Sequence, residues 1–357
     1  MSSALPIHLI TGLLGSGKTT CLQELIQQKP ADENWAILIN EFGEVDIDAS
    51  QIQSNYHNDS VTIQAVSGGC ICCTAQIALV NTLNKLLNDE QRFDRIWIEP
   101  TGLGHPAKII DAITQTHFHQ PLSLQKIVCL VTPQQLTPDR WKKSSVMRDL
   151  VHLADTIILN KIDLSSRDAI ATSHTILENC YPVKNQILHS EYSKVALTEL
   201  LGERLPKPFT LLSPINTEQE TEHQQHTQNQ QQQYLSEIEG TQTCYISQQS
   251  NQTPAHLLSM GWIWSNQLQF NRVKLKAFFE TLSPYLIRAK GLVKTGKEWQ
   301  LINWSEGNLQ FNEVAWRQDS RLECLFKPQS NNKNQPMITP QHLEKQIKST
   351  INTFKPQ

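Results

Sequence analysis

Near the amino terminus, Gly12-Leu-Leu-Gly15-Ser16-Gly17-Lys18-Thr19 carries the spacing G-x-x-x-x-G-K-T. Glycines at 12, 15 and 17 allow a loop to turn its backbone N–H groups inward around a phosphate, with Ser16 and Thr20 in the same phosphate-binding set. Lys18 is placed to reach the β- and γ-phosphates of a nucleotide, and Thr19 to offer its hydroxyl to Mg²⁺. A second constellation is Ser67-Gly-Gly-Cys70-Ile-Cys72-Cys73, three cysteines in four positions. Thiolates bind Zn²⁺ and Cu(I) well, the preceding glycines let the backbone gather the sulfurs, and a helix start lowers thiol pKa. Metal binding is the reading we favour; a redox pair and a buried turn with inert thiols compete with it. Three sulfurs do not close a tetrahedron, so water, Glu44, a histidine, another chain or a client protein must supply the fourth ligand. An incomplete site suits a metal that is handed on.

Two further stretches could complete the phosphate chemistry. Glu99, at the end of the apolar run 95–98, has the position of an acid that holds Mg²⁺ or its water, so Lys18, Thr19 and Glu99 form the expected catalytic set. Thr101-Gly102 follows as a backbone donor towards a γ-phosphate, and His105 reads as a helix-start residue or, as the second reading, a metal ligand. Asn160-Lys161-Ile162-Asp163, after another apolar run, is a guanine-reading loop. The Asp163 carboxylate can accept from the ring N–H and the exocyclic amine of guanine, a donor pair that adenine lacks. The acidic loop Glu41–Asp48 lies where a nucleotide-sensing switch is expected, and Glu44 within it is a candidate metal ligand.

Strands and helices must hold these loops. Ile7–Ile10 reads as a buried strand, and Cys21, Leu22, Leu25 and Ile26 recur with helical period, giving strand, loop and helix around the first motif. The run 35–40 is continuous and apolar, as in a parallel sheet buried on both faces, and 61–66, 95–98, 127–131, 156–159 and 187–190 read as further strands. Leu79, Val80, Leu83, Leu86 and Leu87 form a helical stripe between them. The expectation is an α/β fold: a P-loop NTPase domain with a mainly parallel sheet over 1–212. Residues 213–255, rich in Gln, Thr, Ser and Glu, read as a polar linker in which His223 and His226 are solvated, with weak metal capture as the competing reading. A small α+β domain follows over 256–357. Its expected elements are a strand with Leu258, Met260, Trp262 and Trp264 on one face and a helix with Val273, Ala277, Phe278 and Leu282 in line. A hairpin (299–303 with 309–314) and a last helix with Leu343, Ile347, Ile351 and Phe354 complete it.

The 357 residues carry 31 Lys and Arg against 34 Asp and Glu, a net charge of −3. Such a balance gives no reason to expect nucleic acid or an anionic membrane as partner. No apolar run is long enough to span a bilayer, and the first residues lack the pattern of a signal peptide. A cytoplasmic location is expected, with the eight cysteines reduced.

Together, Gly12–Thr19, Asn40-Glu-Phe-Gly-Glu44, Gly69-Cys-Ile-Cys-Cys73, Glu99-Pro-Thr-Gly102, Asn160–Asp163 and Arg288-Ala-Lys-Gly291 resemble the CobW family of metal-handling P-loop GTPases. Glu99-Pro-Thr-Gly-Leu-Gly-His-Pro106, His189-Ser-Glu191 and Gly261-Trp262 look like its YeiR-type zinc-binding branch. The resemblance implies a GTPase using GTP, Mg²⁺ and Zn²⁺, with a CobW-type carboxyl-terminal domain that meets a client metalloprotein. By matching position it gives Cys70, Cys72 and Cys73 to zinc, Thr19 and Glu99 to Mg²⁺, and Asn160, Lys161 and Asp163 to guanine. The leading expectation is a metallochaperone; a zinc buffer or sensor with regulatory nucleotide is the alternative, and a metal-linked homo-oligomer is compatible with either. Two departures stand out: the linker is glutamine-rich where relatives carry histidines, and Thr132-Pro133 stands where many have Asp-Ala. No residue clearly positions the attacking water, so slow intrinsic turnover is expected.

Overall fold

Continuous apolar runs become the strands of a parallel sheet, because both faces of such a sheet are covered by helices and no position has to face water. The computed structural model describes residues 4–39, 60–66, 72–88, 92–100, 106–205, 207, 232–236, 238–250, 256–327 and 338–352. Chain contacts divide the protein into two units, Met1–Phe209 and Thr210–Gln357.

In the first unit, β1 (Leu5–Gly12), β2 (Trp35–Ile39), β3 (Val61–Ala65), β4 (Arg95–Glu99), β5 (Leu122–Val131), β6 (Thr156–Asn160) and β7 (Gln186–Ser190) form one sheet in the order β3-β2-β4-β1-β5-β6-β7. Every pairing is parallel. The helices between them are α1 (Lys18–Gln27), α2 (Cys72–Leu87), α3 (Pro106–Gln115), α4 (Pro138–Lys143), α5 (Ser145–Leu153), α6 (Arg167–Glu178) and α7 (Leu197–Leu200). The stripe Cys21, Leu22, Leu25 and Ile26 of α1 is buried with Trp35, Ile37, Trp97 and Val128. On the other side, Met147, Leu150 and Val151 of α5 and Leu177 of α6 close over Cys129, Ile157 and Leu159. Each fully buried aliphatic side chain contributes about 1.5–3 kcal/mol. Thr137, Ser144 and Ser166 start α4, α5 and α6 by accepting from backbone N–H groups of the first turn. The chain leaves this unit past buried Asp155, which pairs with Arg204 at 2.8 Å and Lys207 at 2.9 Å. Burial alone would raise that carboxyl; the two cations hold it below its ordinary value.

The second unit is an antiparallel sheet backed by two helices. Its strands are β8 (Gln232–Tyr234), β9 (Thr241–Ser250), β10 (His256–Ser265), β11 (Leu286–Thr295), β12 (Glu298–Ser305), β13 (Asn308–Glu313) and β14 (Asp319–Phe326), in the order β13-β12-β11-β14-β10-β9-β8. Helices α8 (Arg272–Leu282) and α9 (Pro340–Ser349) bury Phe278, Phe279, Leu343 and Ile347 with Trp262 and Trp264. The expected hairpin is β12–β13, turning at Glu306 and Gly307, both at positive φ.

Three expectations are corrected here. The sheet begins inside 213–255: β8 and β9 occupy 232–234 and 241–250, where composition suggests only linker. Average polarity hid a period-two pattern, since Cys244 is buried and Ile246 partly buried while β10 satisfies the β9 backbone. On α8 the inward stripe is Leu275, Phe278, Phe279 and Leu282, whereas Ala277 is exposed and Val273 is 78% exposed. The helix starts one residue after its Asn271 cap, which turns Val273 in the first turn outward. Leu275→Ala is therefore expected to cost about 2–5 kcal/mol, and Val273→Ala within about 0.5 kcal/mol of nothing, as read by urea unfolding of the full chain. In α9 the helix ends at Ser349, so Ile351 joins the core through a bridge to Phe270. Phe354 lies outside the described residues.

Candidate nucleotide-binding site

The loop between β1 and α1 is shaped by two close approaches. A Cβ on Gly12, at φ 147°, would lie 2.4 Å from the Leu130 carbonyl oxygen. A Cβ on Gly17, at φ 99°, would lie 2.5 Å from both Asn160 Nδ2 and Ser193 Oγ. Glycine is thus required where the loop turns against β5 and where it meets the next two loops. Helix α1 then begins at Lys18 with no side-chain cap and no acid in its first turn. Uncapped N–H groups and the helix dipole leave that end suited to an anion. Lys18 is buried and folds back to donate to the Leu13 carbonyl at 3.2 Å. Among the described residues, the buried Ser16 hydroxyl meets no hydrogen-bond partner. These features fit a phosphate group.

Thr19 Oγ1 donates to Glu99 Oε1 at 2.8 Å, with Glu99 almost fully buried at the end of β4. Mg²⁺ takes oxygen ligands at about 2.0–2.1 Å in octahedral geometry, which sets adjacent ligands about 2.9 Å apart. The two oxygens therefore already stand at the spacing of neighbouring Mg²⁺ ligands, and the pair fits that ion.

The Asn-Lys-x-Asp loop meets the phosphate loop directly. Asn160, fully buried at the end of β6, donates from Nδ2 to the Ser16 carbonyl at 2.8 Å and to Ser193 Oγ at 2.7 Å. Its Oδ1 accepts from the Ser193 N–H at 3.0 Å. Ser193 Oγ in turn donates to the Gly17 carbonyl at 3.1 Å. Lys161, held at φ 58°, donates from Nζ to the Gly15 carbonyl at 2.9 Å. Asn160 and Lys161 thus tie loop to loop, while Asp163, on the short turn Ile162–Leu164, is exposed and open to a base.

Ser193 is a member of this junction that sequence reasoning missed. It and Tyr192 sit at φ 61° and 55° just beyond β7, whose Ser190 is in register with Asn160. The available signal was a short polar string, Ser190-Glu-Tyr-Ser-Lys194, at a strand's carboxyl end. Gln135 was missed as well; its amide donates to the Leu14 carbonyl at 2.8 Å, and neighbouring Gln134 donates to the Leu164 carbonyl at 2.8 Å. These glutamines follow Thr132-Pro133, where the resemblance fails.

The cysteines divide by environment. Burial pushes the Cys21 thiol up to about 12, with Glu99 adding to the effect, and Cys129 up to about 11. Both stay protonated and inert. Cys72 and Cys73 open α2, the helix that follows β3. In register, Ile39 of β2 lies between Ala65 of β3 and Glu99 of β4. At about 4.8 Å per strand, β3 ends about 10 Å from Glu99, on the same end of the sheet. Cys70, Glu44 with the rest of 41–48, Thr101–His105, His223 and His226 lie outside the described residues. Among the described residues, no three His, Cys, Asp or Glu side chains gather as a metal site. None of the helices is long and apolar enough to cross a membrane, again among the described residues.

A parallel sheet with a glycine loop at its central strand, an acid at the neighbouring strand end and an Asn-Lys-x-Asp loop defines a P-loop nucleotide-binding domain. The chain belongs to the CobW/HypB/UreG family, whose nucleotide-binding domain matches residues 6–187. It is 36% identical over 191 residues to the zinc chaperone YeiR of Escherichia coli, covering 53% of this chain and 56% of that one. It is 26% identical over 224 residues to the zinc chaperone CobW of a Sinorhizobium species, covering 56% and 62%. The chain thus spans about three-fifths of the length of these curated relatives. Among solved structures, the Zn(II)-bound YjiA GTPase from E. coli aligns over 98% of this chain and 99% of that one, with 16% identity and a TM-score of 0.42.

Proposed function

We propose that this protein is a GTPase metallochaperone that couples GTP hydrolysis to the binding and transfer of Zn²⁺ or a related divalent metal. The observation that carries the reading is the 2.8 Å contact between Thr19 and Glu99 in a loop tied to Asn160, beside the sheet edge that leads into the cysteines. The names of the relatives, zinc chaperones, support it. In this scheme Lys18 leaves the Leu13 carbonyl for the β/γ-phosphates, Asp163 accepts from guanine, and Gly12–Thr20 cradle the phosphates. Thr19 and Glu99 hold Mg²⁺, which when bound neutralises charge developing on the transferred phosphoryl group. Cys70, Cys72 and Cys73 hold the cargo metal, with Glu44 as candidate fourth ligand. The recipient is a client metalloprotein in the cytoplasm, and a cargo ion shared between two copies would make dimerisation metal-dependent.

The test is GTP hydrolysis by metal-free full-length protein, with Mg²⁺ throughout, across a titration of buffered free Zn²⁺. Turnover is expected to rise and saturate near one Zn²⁺ per chain, and Cys72→Ser to remove the rise while leaving GTP affinity nearly intact. Tight zinc binding with no turnover at saturating GTP would replace this reading by that of a zinc buffer or sensor.

A further inference from the structure

His174 on α6 and His189 on β7 bring their Nε2 atoms to 2.6 Å, with ring centroids 4.8 Å apart. The placement follows from two periodicities. On α6, Ile170 lies one turn before His174 and Leu177 one turn after it; on β7, Ile187 precedes His189 on the same face. Ile170, Leu177 and Ile187 pack in the core between helix and sheet. The two histidines are polar positions set among those apolar ones, with His174 half-buried and His189 exposed to solvent. Neutral imidazoles at this distance share one proton, whereas two imidazolium ions repel. A cation that accepts both lone pairs takes the place of that proton.

We propose that His174 and His189 form a second metal site, for a borderline divalent transition ion such as Zn²⁺, Ni²⁺ or Cu²⁺, with water completing the coordination. Imidazole suits these ions, and the pair offers no hard oxygen for Mg²⁺ or Ca²⁺. Metal–nitrogen bonds of about 2.0–2.1 Å at a tetrahedral angle need the nitrogens about 3.3–3.4 Å apart. Small rotations of two side chains at the surface provide that opening. The site is separate from the cysteine segment, because β7 and β3 are opposite edges of the sheet. Six strand spacings of about 4.8 Å put them roughly 30 Å apart. It also sits on the strand that runs into Ser193, so an ion linking α6 to β7 braces the loop that holds Asn160.

Full-length protein with Cys70, Cys72 and Cys73 all changed to Ser, stripped of metal, is titrated with Ni²⁺ by calorimetry. Because the cargo cysteines are gone, the result is independent of the chaperone reading. About one ion per chain is expected, with binding weakened at least about tenfold by His174→Gln or His189→Gln, since even outer partners of metal ligands matter that much. Thermal melting of the metal-free variants checks that they fold, and loss of imidazole resonances of both histidines on adding Ni²⁺ reports the site in the unsubstituted pair. No uptake by the triple variant, uptake unchanged by both glutamine changes, or uptake lost only when His223 and His226 are replaced would each overturn the proposal.

Discussion

Asn160→Ala is expected to destabilise the nucleotide domain by about 3 kcal/mol or more and to remove measurable GTP binding. The side chain is fully buried and makes three hydrogen bonds that join the guanine loop, the phosphate loop and the Ser193 loop. Truncation leaves the Ser16 carbonyl and the Ser193 N–H without their partner, each costing about 1–3 kcal/mol when buried. It also opens a gap beside Gly17, whose conformation is fitted to the Asn160 amide. Both phosphate cradle and base loop should loosen together. Asp163→Ala makes the contrast. Asp163 is exposed and lies on a short turn, so its loss should leave stability within about 0.5 kcal/mol and relax the preference for GTP over ATP. Urea unfolding and competition between labelled GTP and ATP measure the two effects. Equal destabilisation by both changes, or an Asn160→Ala protein that binds GTP normally, would remove the basis for the loop-to-loop role.

A drop in pH from 7.5 to 5.0 should cost the first unit about 4 kcal/mol of stability. Two histidines inside it are held neutral. Burial lowers His8 to about 3, and the Arg95 guanidinium, 2.9 Å from its Nε2, adds to the effect. His8 also stacks on Trp97 with centroids 4.3 Å apart, which fixes the ring. Burial likewise lowers His152 to about 3, with Lys184 and Arg148 contributing. In the unfolded chain each histidine takes a proton near pH 6.5. Between pH 6.5 and 3 the unfolded state therefore binds protons that the folded state does not, and stability falls as pH falls. Above pH 6.5 neither group affects the balance. At pH 5.0 the difference is about 1.5 pH units per histidine, or about 2 kcal/mol each. Urea midpoints followed by tryptophan fluorescence at the two pH values give the slope, and His8→Gln with His152→Gln should flatten it. A slope that survives both changes would show that other groups carry the acid sensitivity.

How much of this was legible beforehand differs by element. Strands such as β2, and the stripe of α1, could be read because unbroken apolar runs and a 3.6 period have few alternative structures. The phosphate loop was equally legible, since Gly12 and Gly17 fill positions that no other residue can occupy. Where burial is carried by alternate residues of a polar stretch, as in β9, composition pointed the wrong way. On α8 the phase was misjudged because the helix start, not the apolar content, decides which face turns inward.

The sequence by itself carried the parts of the candidate site: the glycine loop, the acid and hydroxyl that meet, the Asn-Lys-x-Asp string, and three cysteines within four positions. Those identities are local, written within a few residues and fixed by short-range chemistry. Only the tertiary structure decided that Asn160 and Lys161 spend their donors on the phosphate loop, that Ser193 is the third member of that junction, and that His174 meets His189. These contacts join residues 15 to 176 positions apart and depend on strand order and register. Strand order is set by the cooperative burial of two sheet faces, a property of the whole domain that no short segment carries.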